Sequence, residues 1–169
     1  MEAATAGPGF TASDFRSALG AFATGVTVIT TRSEDHDYGM TANAFSSVSL
    51  DPPLVLVCAK SGAEGSEYIE RNGVFAVNIL AADQEPLSRY FSSKDRPRGR
   101  DAFKDVAHTT VVTGSPILDG VVAYLDCRLH ESRTAGDHEI FSGEVVALVT
   151  FDREPLLFAG GTYALVQKP

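Results

Sequence analysis

Residues 121–151 read VVAYLDCRLHESRTAGDHEIFSGEVVALVTF, and their reading decides the fold. Two long runs, 121–131 and 138–151, are rich in Val, Leu, Ile, Tyr and Phe. Such residues suit a pleated, half-buried surface. Between them lies a short polar stretch, 132–137, ending in Gly136 and Asp137, a pair suited to a tight turn. Two strands joined this closely form an antiparallel hairpin, because a parallel crossover needs a dozen or more residues.

Working outward, the chain supplies more strands and few helices. Residues 26–31 (VTVITT) alternate and are β-branched, and residues 38–49 follow the charged turn 32–37, so both are expected as strands. Pro52 and Pro53 then break the chain, since proline cannot donate to a central ladder. Residues 54–59 (LVLVCA) form a continuous apolar run, the pattern of a strand buried on both faces. Residues 74–80 (VFAVNIL) and 156–166 add two strands, and 116–119 reads as a turn. Three short helices are expected. The first covers 14–23, capped by Thr11 or Ser13, ended by Gly25, with Phe15, Ala18, Leu19 and Phe22 on one face. The second covers 63–71 and stops at Asn72 and Gly73, and the third covers about 85–91. Residues 92–101 (SSKDRPRGRD) are the most polar and least regular, and read as a mobile loop. About seven strands without regular intervening helices argue against a doubly wound parallel sheet and for a closed or split antiparallel barrel.

The chain has 169 residues, enough for one domain with a real core. Residues 1–12 read as a disordered leader, and 13–169 as the domain. The net charge of −8 argues against nonspecific nucleic-acid binding, which needs a basic face, and gives no support for an anionic membrane surface. No apolar run approaches the roughly 20 residues of a membrane-spanning helix, and the N-terminus lacks the apolar core of a secretory signal. Cys58 and Cys127 both sit in apolar runs and read as buried thiols rather than a disulfide. A cytoplasmic location follows by default.

Residues 39–53 (GMTANAFSSVSLDPP) carry most of the functional information. Thr41, Asn43, Ser46, Ser47 and Ser49 alternate with small or apolar residues, and no ionisable side chain appears before Asp51. Such a surface suits a large, flat ligand read by neutral hydrogen bonds, and equally a Ser/Thr-rich edge strand. Cys58, Ala59, Lys60 and Ser61 run from a strand end into a helix start, a junction that attracts phosphate, or where Ser61 simply caps the helix. Phe91, Ser92, Ser93 and Lys94 could hold a phosphate under an aromatic ring, or form a solvated loop. His138, beside Asp137, is a candidate to contact a dinucleotide, or an exposed turn residue. Cys127 and His130 are three apart on a strand and point to opposite faces, so no metal site is expected. The signatures G-x-G-x-x-G, G-x-x-x-x-G-K-[ST], G-x-S-x-G and H-E-x-x-H are all missing from the chain.

Taken in order, the segments 25–30, 39–53, 75–80, 136–138 with 141–145, and 155–158 with Gly161 and Tyr163 resemble the flavin reductase family. The closer resemblance is to the NAD(P)H:flavin oxidoreductase components of two-component flavin monooxygenases, over nearly the whole chain. The resemblance implies a mainly β fold, a split β-barrel with a few short helices, as a homodimer binding FMN or FAD near the subunit interface. It implies that Thr41, Ala42, Asn43 and Ala44 edge the isoalloxazine, with Ser46 and Ser47 along the ribityl and phosphate side. It implies that Cys58, Ala59, Lys60 and Ser61 line ring and phosphate, and that Phe91, Ser93 and Lys94 close over the phosphate or adenylate. His138, the candidate catalytic residue, and Tyr163 would face the nicotinamide. One departure stands out. Many relatives carry a basic residue before the tyrosine, whereas Ala159, Gly160, Gly161 and Thr162 supply none.

The function implied is NAD(P)H-dependent reduction of FMN or FAD, with reduced flavin passed to a partner monooxygenase. The cofactor carries the hydride chemistry, so no general base is required. Two alternatives remain: a flavin-binding module without turnover, and an oxidoreductase that keeps its flavin and reduces another acceptor. Arg133 is the only basic residue of sequence near His138, which leans towards NADH, because a 2′-phosphate usually calls for an arginine.

Overall fold

The computed structural model describes residues 9–32 and 36–167, so most of the expected leader lies outside it. In chain order the elements are α1 (Ala12–Gly20), β1 (Thr24–Gly25), β2 (Thr27–Arg32), β3 (Asp37–Ala42), β4 (Phe45–Leu50) and β5 (Pro53–Lys60). Then follow α2 (Glu64–Asn72), β6 (Val74–Ile79), α3 (Glu85–Ser92), β7 (His108–Thr109) and β8 (Ile117–Leu118). The chain closes with β9 (Ala123–Ala135), β10 (His138–Thr150), β11 (Leu157–Ala159) and β12 (Thr162–Ala164). No helix among the described residues is long and apolar enough to cross a membrane.

Seven strands form one antiparallel sheet in the order β3-β2-β6-β9-β10-β5-β4. Its spine is the expected hairpin, in which His138 opposes Ala135 and Thr150 opposes Ala123. The first strand runs further towards the turn than the sequence suggests, to Ala135, while the second begins at His138 as expected. The two edge strands, β3 and β4, are consecutive in the chain, so the sheet must curl until its edges meet. No pairing joins them among the described residues. The result is a split barrel rather than a closed one.

The stretch 38–49, expected as one strand, is therefore two strands on opposite edges. Asn43 and Ala44 break it: the Asn43 carbonyl accepts from the Phe45 amide at 3.0 Å, and the Ala44 carbonyl from the Cys58 amide at 3.0 Å. Residues 54–59 are not buried on both faces. Val55, Val57 and Ala59 face the interior, while Leu54, Leu56 and Cys58 on the other face are half-buried. The terminal run 156–166 folds as the β11–β12 hairpin over Gly160 and Gly161. The expected turn at 116–119 contains β8, which is buried and pairs with β7.

Two apolar layers hold the sheet. Inside the curl lie Ile29, Val57, Phe75, Val77, Cys127 and Phe141. Outside β2 and β6, Val28, Leu80, Phe91, Phe103, Leu118 and Leu156 pack under α3 and the β11–β12 hairpin. Burial, followed by the nearby Asp126 charge, pushes the Cys127 thiol up to about 12. Buried polar groups pin the outer layer. The Asp126 carboxylate accepts from the amides of Val112 at 3.0 Å and Thr113 at 2.8 Å, and from the Thr113 hydroxyl. Asn78 donates to the Val28 carbonyl and accepts from the Leu118 amide. Residues 92–101 are tied down rather than loose, because Arg96 donates to the carbonyls of Gly39 at 2.7 Å and Ser93 at 2.8 Å.

Helix α1 begins and ends earlier than expected. Thr11 caps it in a reciprocal arrangement with Asp14, and Ala21 closes it. Its apolar face is largely uncovered among the described residues: Phe15, against Phe10, and Leu19 are 53% and 58% exposed, and Phe22 just beyond the helix is 77% exposed.

Glycine is required where the sheet has no room. A Cβ on Gly143 would sit 2.5 Å from the Phe75 ring and 2.9 Å from the Cys127 Cβ, both fully buried. Replacing Gly143 with Ala is expected to cost about 1–3 kcal/mol by overpacking. The thermal midpoint should fall by roughly 3–9 °C, measured by circular dichroism.

Candidate functional site

The site forms where the two sheet edges meet. Thr27 Oγ1 donates to the Ala42 carbonyl at 2.6 Å, which fixes the end of β3. The chain then crosses through Asn43 and Ala44 to β4, held to β5 by the bond from the Cys58 amide. A cavity of about 250 Å³ opens on the outer side of this crossing. Thr41, Ala42 and Asn43 form one wall, Ser88 and Ser92 of α3 a second, and Phe158 and Tyr163 of the hairpin a third. Val26 lies behind them. A second cavity, of about 320 Å³, lies on the other side of Asn43, between Thr24, Thr27, Phe45, Ile79 and the exposed Phe22.

Helix α3 reaches this wall because Gly39 lets it approach; a Cβ there would meet the Phe91 ring at 2.5 Å. One turn before Ser92, the Ser88 carbonyl accepts from Thr41 Oγ1 at 2.7 Å. Ser88 Oγ lies 2.9 Å from the Tyr163 hydroxyl. The Tyr163 ring packs on Phe158 with centroids 5.4 Å apart and lies under the Arg89 guanidinium at 4.8 Å. Arg89 itself pairs with Glu85 at 2.7 Å. The polar groups lining the cavity are thus neutral hydroxyls and amides on apolar walls. That composition fits a planar ring with a polar edge and offers no cation for a phosphate.

Charge gathers instead at the β10 entrance. There His138 pairs in register with Lys60, and Ile140 with Cys58. His138 Nδ1 is 2.8 Å from the Asp137 carboxylate, and its side chain is 47% exposed. This hydrogen bond, and then the His138 charge, hold the Asp137 carboxyl below its ordinary range. The Asp137 carbonyl accepts from the Ser61 amide at 3.0 Å. The Ser61 hydroxyl donates to Glu139 at 2.7 Å, and Thr134 donates to the same oxygen at 3.2 Å.

The expected residues fall into several groups. Thr41, Ala42, Asn43 and Tyr163 share the cavity, and Ala44 adjoins Cys58, whose thiol burial pushes up. Lys60 and His138 face each other across the β5–β10 ladder. Ser46 and Ser47 are exposed on β4 and line neither cavity. Ser93 caps the end of α3, its hydroxyl accepting from the Asp95 amide, and Lys94 is exposed beside it.

Three expectations need correction. The Phe91 ring is 2% exposed and packs on Phe103 and Tyr90, so it supports α3 from the core instead of facing a ligand. The Ala59 side chain is likewise buried, which leaves only its backbone. Ser61 does not cap α2. Ala63 does, without a side-chain bond, and Glu64 and Glu67 already occupy the positive first turn that was to attract phosphate. Ser88 and Glu139 carry no motif of their own, while Ser92 and Phe158 fall in segments the sequence singled out, 91–94 and 155–158. Only the i, i+4 spacing of the two serines on α3 could have marked them for one face.

Comparison with known proteins places the chain in a family. The sequence model of the flavin reductase like domain matches residues 19–167. The FMN reductase (NADH) SmoA of Agrobacterium fabrum is 43% identical over 150 residues, covering 88% of this chain and 83% of that protein. The flavin-dependent monooxygenase reductase subunit HsaB of Rhodococcus jostii is 40% identical over 154 residues, covering 90% and 77%. The solved structure of the NADH:FAD oxidoreductase SgcE6 of Streptomyces globisporus superposes with a TM-score of 0.89 at 38% identity, covering 99% of this chain and 100% of that one. With a domain match across nearly the whole chain and relatives this similar along it, the chain belongs to the flavin reductase family.

Proposed function

We propose that this protein is an NADH-dependent flavin reductase that takes FMN or FAD at the β3–β4 crossing. The observation that carries this reading is the neutral, hydroxyl- and amide-lined cavity beside Asn43, in a chain whose relatives include NADH-dependent reductases of both flavins. Bound flavin supplies the hydride acceptor. The chain's own residues bind and orient. Thr41, Ala42, Asn43 and Ala44 hold the ring edge, largely through backbone. Ser46, Ser47, Ser93 and Lys94 take the ribityl and phosphate side, where Lys94 offers the cation that the cavity lacks. Cys58 and Lys60 flank the ring from β5, with Ser61 just beyond the strand end. His138, held by Asp137, and Tyr163 face the nicotinamide.

The protein works as a homodimer that passes reduced flavin to a monooxygenase partner, as the name of the Rhodococcus subunit suggests for that relative. The unburied apolar face of α1 supports the dimer, together with Leu50 (96% exposed) on β4 and Leu148 (60%) on β10. The two free thiols suit a reducing, cytoplasmic compartment.

Three outcomes test this. NADH absorbance at 340 nm should fall only when FMN or FAD is added, and His138→Ala should lower kcat/KM for NADH about tenfold or more while flavin affinity holds. No NADH loss with either flavin would leave a binding module. Phe22→Asp should halve the mass measured by light scattering, whereas an unchanged mass would place the dimer contact elsewhere. Flavin should protect Cys58 from alkylation at pH 8. Cys127, protonated up to about 12 and fully buried, should react only after unfolding, as peptide mass spectrometry would show.

A further inference from the structure

Ser88 has no exposed surface, yet its hydroxyl lies 2.9 Å from that of Tyr163, which lines the cavity. Two hydroxyls bring two protons, and only one is used between them. If Tyr163 donated, the Ser88 proton would be left on a residue with no exposed surface, where no other hydrogen bond to that hydroxyl exists among the described residues. An unused buried donor is costly. If Ser88 donates, the Tyr163 proton is the free one, and Tyr163 is half-buried with its hydroxyl at the cavity wall. The second arrangement leaves nothing unsatisfied. Ser88 is also fixed from its other side, since its carbonyl accepts from Thr41 at 2.7 Å.

We infer that Ser88 is a positioning residue: by donating to Tyr163 it turns the tyrosine proton towards the cavity, as a fixed donor for a carbonyl oxygen on a planar heteroaromatic ligand. Two ligands of the proposed reaction carry such an oxygen, the pyrimidine carbonyls of the flavin and the carboxamide of NADH. The inference rests on the flavin reductase reading for its ligands, but on geometry alone for the proton's direction. Thr41 and Tyr163, on opposite walls, are thereby set by one residue of α3. The hairpin's lack of a basic residue makes this hydroxyl its polar contribution to the cavity.

The test is a double-mutant cycle with Ser88→Ala and Tyr163→Phe in the full chain. Flavin affinity is read by fluorescence titration of FMN and FAD without NADH, and the NADH KM at saturating flavin. Each single variant should weaken one of the two by about tenfold, the scale of one hydrogen bond, with kcat within twofold. The double variant should be no worse than Tyr163→Phe, because Ser88 then has no proton to aim. Ser88→Cys, a weak donor, should fall between wild type and Ser88→Ala. A shift in flavin affinity assigns the flavin carbonyl; a shift in KM assigns the carboxamide. Unchanged values in both arms, or multiplying losses in the double variant, would overturn the inference. Tyr163→Phe keeps its ring packing, so it reports even if Ser88→Ala does not fold. Wild-type protein that binds flavin but oxidises no NADH would sink the proposed activity, while the flavin titrations would still decide this point.

Discussion

Two residues, Asn43 and Ala44, connect strands at opposite edges of one seven-stranded sheet, and the rest of the structure depends on that constraint. From Ala42 to Phe45 an extended chain spans at most about 11 Å. The sheet must therefore curl until β3 and β4 lie side by side. Each already has a partner on its other flank, β2 for β3 and β5 for β4. The curl encloses one core and leaves a seam of edge backbone between the two strands. Open edges invite pairing by another chain, and here α3 and the β11–β12 hairpin pack beside the seam. What remains is a slot with polar backbone at its rim and apolar walls, the shape that suits a flat ring.

The outer layer fixes how wide that slot is. Asp126, Asn78 and Thr30 hold the segment before β8 against the sheet, with Thr30 donating to the Pro116 carbonyl. Leu118 from that segment then joins Phe91 and Phe103 under α3. Because Gly39 has no side chain, the Phe91 ring sinks to the β3 backbone, and Ser88, one turn earlier, comes within bonding distance of Thr41. A buried carboxylate and amide far from the cavity thus set the position of a serine at its wall. Each of these groups adds only about 1 kcal/mol net when paired, yet costs more when orphaned, which makes the layer adopt one arrangement.

Much of this was legible in the sequence where a pattern has one physical meaning. The alternating runs around Gly136 and Asp137 could only be a hairpin, and the neutral block 39–53 stood out by lacking charge. Local pattern failed where a second element decided the outcome. Residues 38–49 look like one strand because no proline or charge marks the crossing at Asn43 and Ala44; only the partners of β3 and β4 reveal the break. Phe91 reads as a ligand-facing aromatic until Gly39, 52 positions earlier, turns out to be the surface it packs on. Ser61 reads as a phosphate contact until Glu139, 78 residues away, accepts the hydrogen bond from its hydroxyl. The apolar face of α1 was read correctly as a face, but a single sequence does not say that Phe15 and Leu19 stay exposed.

The division of charge follows the same geometry. Among the residues that line the cavity between β3, α3 and the hairpin, Tyr163 is the only one with an ionisable side chain. Groups with clearly shifted titration lie elsewhere: two thiols raised by burial, and the exposed Asp14 and Asp137 lowered by hydrogen bonds. Sites that run acid–base chemistry place shifted carboxylates, lysines or histidines against the reacting atoms. A site that moves a hydride needs alignment instead, because the redox chemistry belongs to the two cofactors. Neutral donors at fixed positions give that alignment without favouring either charge state of the ring. The hydrogen-bonded Asp137 and His138 then sit outside the neutral slot, at the strand entrance opposite Lys60. The neutral cavity and this charged entrance are thus distinct regions, one lined by hydroxyls and an amide and the other by His138, Asp137 and Lys60.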